Sequence, residues 1–353
     1  MKDTLNTLPL QEWQAAYDQA FPQGEDFQTL LLRLARGDMR LDAESLLRSI
    51  ASRFLNALTA SAWRLARLLI PAVFCGVMQR LKASFSKDAL GETLSAACFL
   101  LLAGSMAQDL GQHLLLARDT VARMADLMQA LFPVLLTLLA AVGGTAGAAF
   151  FQPAVVAASG TMTALVRSVT LPLALAAGVT TILNHLSPRM RISRLSSLFH
   201  SGASWTLGVG FTVFISVTAL QSLGAAAADG VSIRTAKYAV DHFVPVVGGM
   251  FADTMDTLVG ASLLIKNALG LTGLLLLLSV AAVPMLQTLA AAMLYRAGAA
   301  VLEPLSDARS SACLQDFSEV LMLLFVIQLS VGAMFLLLVA QMLVVGNLTV
   351  MLR

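Results

Sequence analysis

Along residues 127–166, 40 consecutive positions carry no Asp, Glu, Lys, Arg or His. Tracts free of Asp, Glu, Lys and Arg recur at 168–188, 195–228, 267–295 and 320–352. A helix of about 20 apolar residues crosses the roughly 30 Å hydrocarbon layer of a bilayer. A helix in water shows a polar stripe on its outer face instead, and most of the chain after residue 90 has none. The pattern predicts an all-α, polytopic integral membrane protein. By span length it holds about 7–9 membrane-inserted helices behind an N-terminal amphipathic helical region.

Two domains follow from this: residues 1–57, amphipathic and water-compatible, and residues 58–353, the polytopic transmembrane part. In the first, Leu30, Leu31 and Leu34 share a helix face away from Arg33 and Arg36, and Gly37 ends the run. Asp42 is placed to cap a second helix, in which Leu46, Leu47, Ile50, Phe54 and Leu58 recur at helical spacing. That helix leads into a first crossing near 58–79. Further crossings are expected at 93–113, 127–149, 155–166 with extensions, 168–186, 205–223, 268–295 and 320–345. Pro153, in Phe150-Phe151-Gln152-Pro153, marks a turn, because it lacks a donor and disfavours helix before it. Arg167 is read as a tight external turn between two crossings, since a bare charge at mid-bilayer costs several kcal/mol. The other reading leaves it inside a membrane-embedded helix.

Composition supports the membrane reading: 12% of residues are charged and 58% hydrophobic, against about 25% charged in soluble domains. The net charge of +2 leaves no nucleic-acid footprint. Basic residues cluster at Arg80, Lys82 and Lys87 and at Arg189, Arg191 and Arg194. With these two loops as cytoplasmic, the N-terminus lies outside, and Arg118, Arg123, Arg167, Arg234, Lys237, Arg296 and Arg309 fall on the opposite side. Cys75, Cys98 and Cys313 are too scattered for a metal site or a disulfide framework. Met1-Lys2-Asp3-Thr4 opens no apolar signal core, so no secretory signal is expected.

No nucleophile elbow, phosphate loop or dinucleotide fingerprint occurs. His113, His185, His200 and His242 have no metal-ligand spacing. The expectation is a protein without catalytic, cofactor-binding or metal residues. Gly143 and Gly147 lie in an apolar run, where small residues let helices approach or break. The most unusual segment is 242–266. Pro245, Gly248 and Gly249 interrupt its apolar helical pattern, and Asp253 and Asp256 then share one helix face. One reading is a discontinuous helix lining a polar path, with Lys266 or Arg234 as counter-charge. The other is an amphipathic helix at the interface with both aspartates in water.

Within this segment, Arg234-Thr235-Ala236-Lys237, Phe243-Val244-Pro245-Val246-Val247-Gly248-Gly249-Met250-Phe251 and Gly260-Ala261-Ser262-Leu263-Leu264-Ile265-Lys266-Asn267 form a distinctive block. It resembles the stage III sporulation protein AE family, multi-pass proteins of endospore-forming bacteria. The resemblance extends to Phe74-Cys75-Gly76-Val77-Met78-Gln79, to Gly143-Gly144 with Ala148-Ala149-Phe150-Phe151-Gln152-Pro153, and to Glu303-Pro304-Leu305. It closes on Gly346-Asn347-Leu348-Thr349-Val350-Met351-Leu352-Arg353. It implies a membrane component of the channel-like or secretion-like assembly between mother cell and forespore, needed for late forespore development after engulfment. Implied partners are other membrane proteins of the same sporulation operon, a forespore membrane protein, the lipid bilayer and further copies of the chain, with no nucleic acid. The implied location is the mother-cell membrane around the forespore. A small-solute transporter or permease is the competing reading. The family supplies no catalytic residues to carry over, and its members commonly begin with a cleavable signal.

Overall fold

The fold is known from a computed structural model, which describes residues 89–186, 192–243, 248–304 and 308–351 and scattered positions before residue 89. The described elements are α1 (Ala89–Ala141), α2 (Thr145–Leu165), a π-turn (Val166–Thr170), α3 (Leu171–Leu186), α4 (Ser193–Phe243), α5 (Gly248–Leu302) and α6 (Ala308–Met351). No strand occurs among the described residues. The backbone stays helical from α2 through the π-turn into α3, so these form one rod. Five rods therefore run alternately up and down. Each contains a stretch long and apolar enough to cross a bilayer: Phe99–Ala141, Ser159–Leu186, Ser193–Ala225, Gly260–Leu302 and Arg309–Asn347. Helix is the form lipid permits, because it satisfies every backbone group internally.

α6 is the hub and packs against every other described helix. Its sequence explains this position. Leu314, Phe317, Leu321, Leu324, Ile327, Val331, Phe335, Leu338 and Met342 recur every three or four residues and are all buried, while Val326, Leu329, Leu337 and Val344 form an exposed apolar strip. α5 is its most extensive partner. α1 packs on both, and the α2–α3 rod and α4 close the bundle. One end of the bundle holds the junctions α3–α4 and α5–α6. The other holds the α1–α2 turn.

The structure corrects several expectations. The crossing expected at 93–113 and the first part of the one expected at 127–149, up to Ala141, belong to one 53-residue helix. No helix breaker separates them, and Arg118 and Arg123 sit exposed in mid-helix, while Ala117, Val121 and Met124 face the core. The turn expected at Pro153 falls instead at Val142, Gly143 and Gly144; Pro153 lies inside α2. Gly143 has φ +102°, a left-handed conformation that glycine adopts without a side-chain penalty. Arg167 does not form a turn: it lies in the π-turn of a continuous rod, with its side chain exposed. α5 runs unbroken from Gly248 to Leu302, so only two rods, α4 and α5, separate Arg194 from Arg309. Arg194 and Arg309, expected on opposite sides, lie at the same end of the bundle. Most of the crossing expected at 58–79, most of the region 1–57 and Pro245 lie outside the described residues.

Candidate functional site

Lys266 is fully buried, at 0% exposure, inside the Gly260–Leu302 span. α5 delivers it to the seam with α6, near the α1–α2 turn. Its Nζ donates to the backbone oxygen of Leu343 at 3.2 Å. The side chain crosses Gly346 closely enough that a Cβ there would meet Nζ, lie 2.6 Å from Cε and lie 3.2 Å from Leu139 Cδ1. Gly346 is thus a notch that admits the lysine. Flanking it, Asn267 Oδ1 and Asn347 Oδ1 are buried without a partner among the described residues. The buried apolar residues Ile265, Leu269 and Val345 lie next to these positions along the two helices.

Lys266 was legible in the sequence as a candidate; its partner was not. Gly346, whose notch admits it, lies 80 positions further on in a separate family-like block, and only the α5–α6 pairing brings the two together. Asp253 and Asp256 are on the first turns of α5, opened by Gly248 and Gly249, and Arg234 is on α4; their side chains lie outside the described part. Along the continuous α5, Asp256 precedes Lys266 by ten residues, about 15 Å of helix rise. Lys266 donates to Leu343 from within the seam. Since Lys266 sits level with Leu139, just before the α1–α2 turn, the two aspartates lie beyond that turn. Gly147 is buried within α2 and Gly143 makes the turn itself.

A second polar cluster occupies the opposite end. Arg309, on the first turn of α6, donates to the backbone oxygens of His185 and Leu186, the last residues of α3. Its guanidinium also stands 4.3 Å from the centre of the Phe99 ring. A cation there satisfies terminal carbonyls and opposes the negative end of the α3 dipole. His185 Nε2 lies 3.5 Å from Asp316 Oδ2. Thr181 and Ser196 share a hydrogen bond of 2.7 Å that ties α3 to α4. Nearby, Tyr295 donates to Asp109 Oδ2 at 2.6 Å and meets Phe317 edge-on at 4.8 Å. Sequence reasoning missed this cluster. Asp109 carried a signal, because an acidic residue inside an expected crossing calls for a partner.

Between the two ends, Gln328 Nε2 donates to Thr288 Oγ1 at 3.2 Å. Gln341 Nε2 approaches Thr218 Oγ1 at 3.5 Å. Among the described residues, no group of three His, Cys, Asp or Glu stands close enough to hold a metal ion. Cys313 is buried, with Sγ 4.0 Å from the sulfur of Met106. What this arrangement does chemically is hold long helices together by scattered polar contacts in an apolar medium.

Fold and polar contacts together define a multi-pass α-helical membrane protein. The chain matches the family described as Stage III sporulation protein AE over residues 25–346 and belongs to that family. It is 29% identical over 323 residues to the Stage III sporulation protein AE of Bacillus subtilis (strain 168), covering 92% of this chain and 81% of the relative. No solved structure matches it. The family and the spanning helices give the protein a role in sporulation, exercised in a membrane.

Proposed function

We propose that the protein is a non-enzymatic component of a conduit-like assembly between mother cell and forespore, seated in the mother-cell membrane. It works there with other membrane proteins of its operon and a forespore membrane partner, and late forespore development depends on it. One observation carries this reading. The family match covers residues 25–346, and its distinctive blocks around Lys266 and Gly346 close on each other as a buried seam between two spanning helices. A scaffold or wall of a conduit needs such a seam; an enzyme needs a reactive cluster. The competing reading, a small-solute transporter, draws support from the ionisable Lys266 buried within a span.

Deleting the gene is expected to stall development after engulfment and leave vegetative growth unchanged. A growth defect in ordinary medium would count against the sporulation-specific role. Replacing Asp253 and Asp256 together with alanine separates wall from scaffold. If the pair borders the path, spore yield collapses while the protein accumulates normally; normal yield removes these residues from the path.

A further inference from the structure

The outward face of α1 carries a run of polar side chains, interrupted at Leu115, which is 58% exposed. Gln108, Gln112, Asp119, Arg123 and Asp126 follow one another at helical spacing, and all five are exposed. From first to last the stripe covers about 27 Å at 1.5 Å per residue. It lies within Phe99–Ala141, one of the candidate spans. The opposite face of α1, with Met106, Leu110, Ala117, Val121 and Met124, is buried in the core.

The flank formed by α3 and α4 differs at the same height. Gly178 backs onto Leu110, and Gly202 onto Leu173. Counting from these contacts, Leu175 and Leu198 stand level with Gln112, and Val169 and Trp205 with Asp119, within about one helical turn. All four are exposed, Leu198 at 64% and Trp205 at 76%. Bare charge is costly against hydrocarbon, and a largely apolar surface is not left bare in water. The exposed polar groups on this flank at that height are the small hydroxyls of Ser168, Ser197, Ser201 and Ser204, apart from Arg167, whose long side chain carries its charge away from the apolar face. One height of the bundle therefore meets two media.

We propose that the polar stripe of α1 lines an aqueous path, while the α3–α4 flank at that height rests against lipid. The alternation Asp119, Arg123, Asp126 suits water and small polar or charged solutes without imposing one sign of charge. This deepens the conduit reading and rests on it only for what the path serves.

The test uses the full chain with Cys75, Cys98 and Cys313 replaced by serine and one cysteine introduced at a time. Gln112→Cys, Asp119→Cys, Leu175→Cys and Leu198→Cys carry nitroxide spin labels in phosphatidylcholine–phosphatidylglycerol vesicles. Accessibility is read with oxygen, which partitions into lipid, and with a water-soluble nickel chelate. The expected result is an inversion. The chelate reaches positions 112 and 119 better than oxygen does, and oxygen reaches 175 and 198 better than the chelate. Chelate access on both flanks would mean that this height lies outside the bilayer, and would overturn the proposal. So would oxygen access on both flanks, or no access of either reagent at 112 and 119, which would mean that protein covers the stripe. Should Asp119→Cys fail to fold, Gln108→Cys replaces it. None of these outcomes depends on a sporulation phenotype, so failure here and failure of the conduit reading are separately visible.

Discussion

At Gly346 one added carbon meets the far end of the Lys266 side chain, which must then leave the notch. Overpacking of a core costs about 1–3 kcal/mol, so G346A is expected to lower the unfolding midpoint in detergent by that amount of stability. Shortening the lysine as well, in K266A/G346A, recovers part of the loss, because the two residues are in contact and their effects are not additive. Lys266→Met behaves differently. It keeps the volume and removes a buried charge, a change that costs less than about 1.5 kcal/mol or even stabilises. A thermal melt of the purified variants, alongside spore counts, separates the roles. Full stability with lost sporulation marks Lys266 as functional, whereas full stability with normal sporulation marks it as an occupant of the notch. Asn267 and Asn347, with buried and unpartnered oxygens beside it, are the residues whose replacement should shift the same melt.

At the scale of elements, long helices carry charge without breaking, and this decided which parts of the fold were legible. The expected crossings at 205–223, 268–295 and 320–345 fall inside α4, α5 and α6, because those tracts hold no charge to misread. In α1 the charges Arg118 to Asp126 looked like a loop. They lie mostly on the outer side of a helix of about 80 Å, far longer than one hydrocarbon layer. Spacing could have revealed this, since Asp119, Arg123 and Asp126 keep helical register. Arg167 misled for a similar reason: a charge inside an apolar tract was assigned to a turn, and the π-turn exposes it without ending the rod. No sequence pattern announced Arg309 as the cap of α3, because that contact joins residues far apart in the chain. Arg309→Ala removes a helix-end charge and a ring contact, together about 1–2 kcal/mol. Arg309→Lys keeps the charge but cannot fork onto two carbonyls, and should fall between the two in a denaturation series. Equal stability of all three would remove the capping role.

Taken whole, the molecule is a bundle with α6 at its centre and polar contacts placed at both ends. The α5–α6 seam closes the end near the α1–α2 turn, and the Arg309, His185 and Tyr295 contacts close the other. Fold class was readable from the sequence because lipid imposes a strong rule on composition; the pairing of helices was not, because any apolar face fits any other until specific side chains meet. The account depends on the neutral tracts residing in hydrocarbon. Extraction of membranes from sporulating cells with alkaline carbonate tests that most directly. The protein is predicted to remain in the membrane pellet and to enter solution only with detergent. Its release into the supernatant as a dispersed, folded chain would contradict the account.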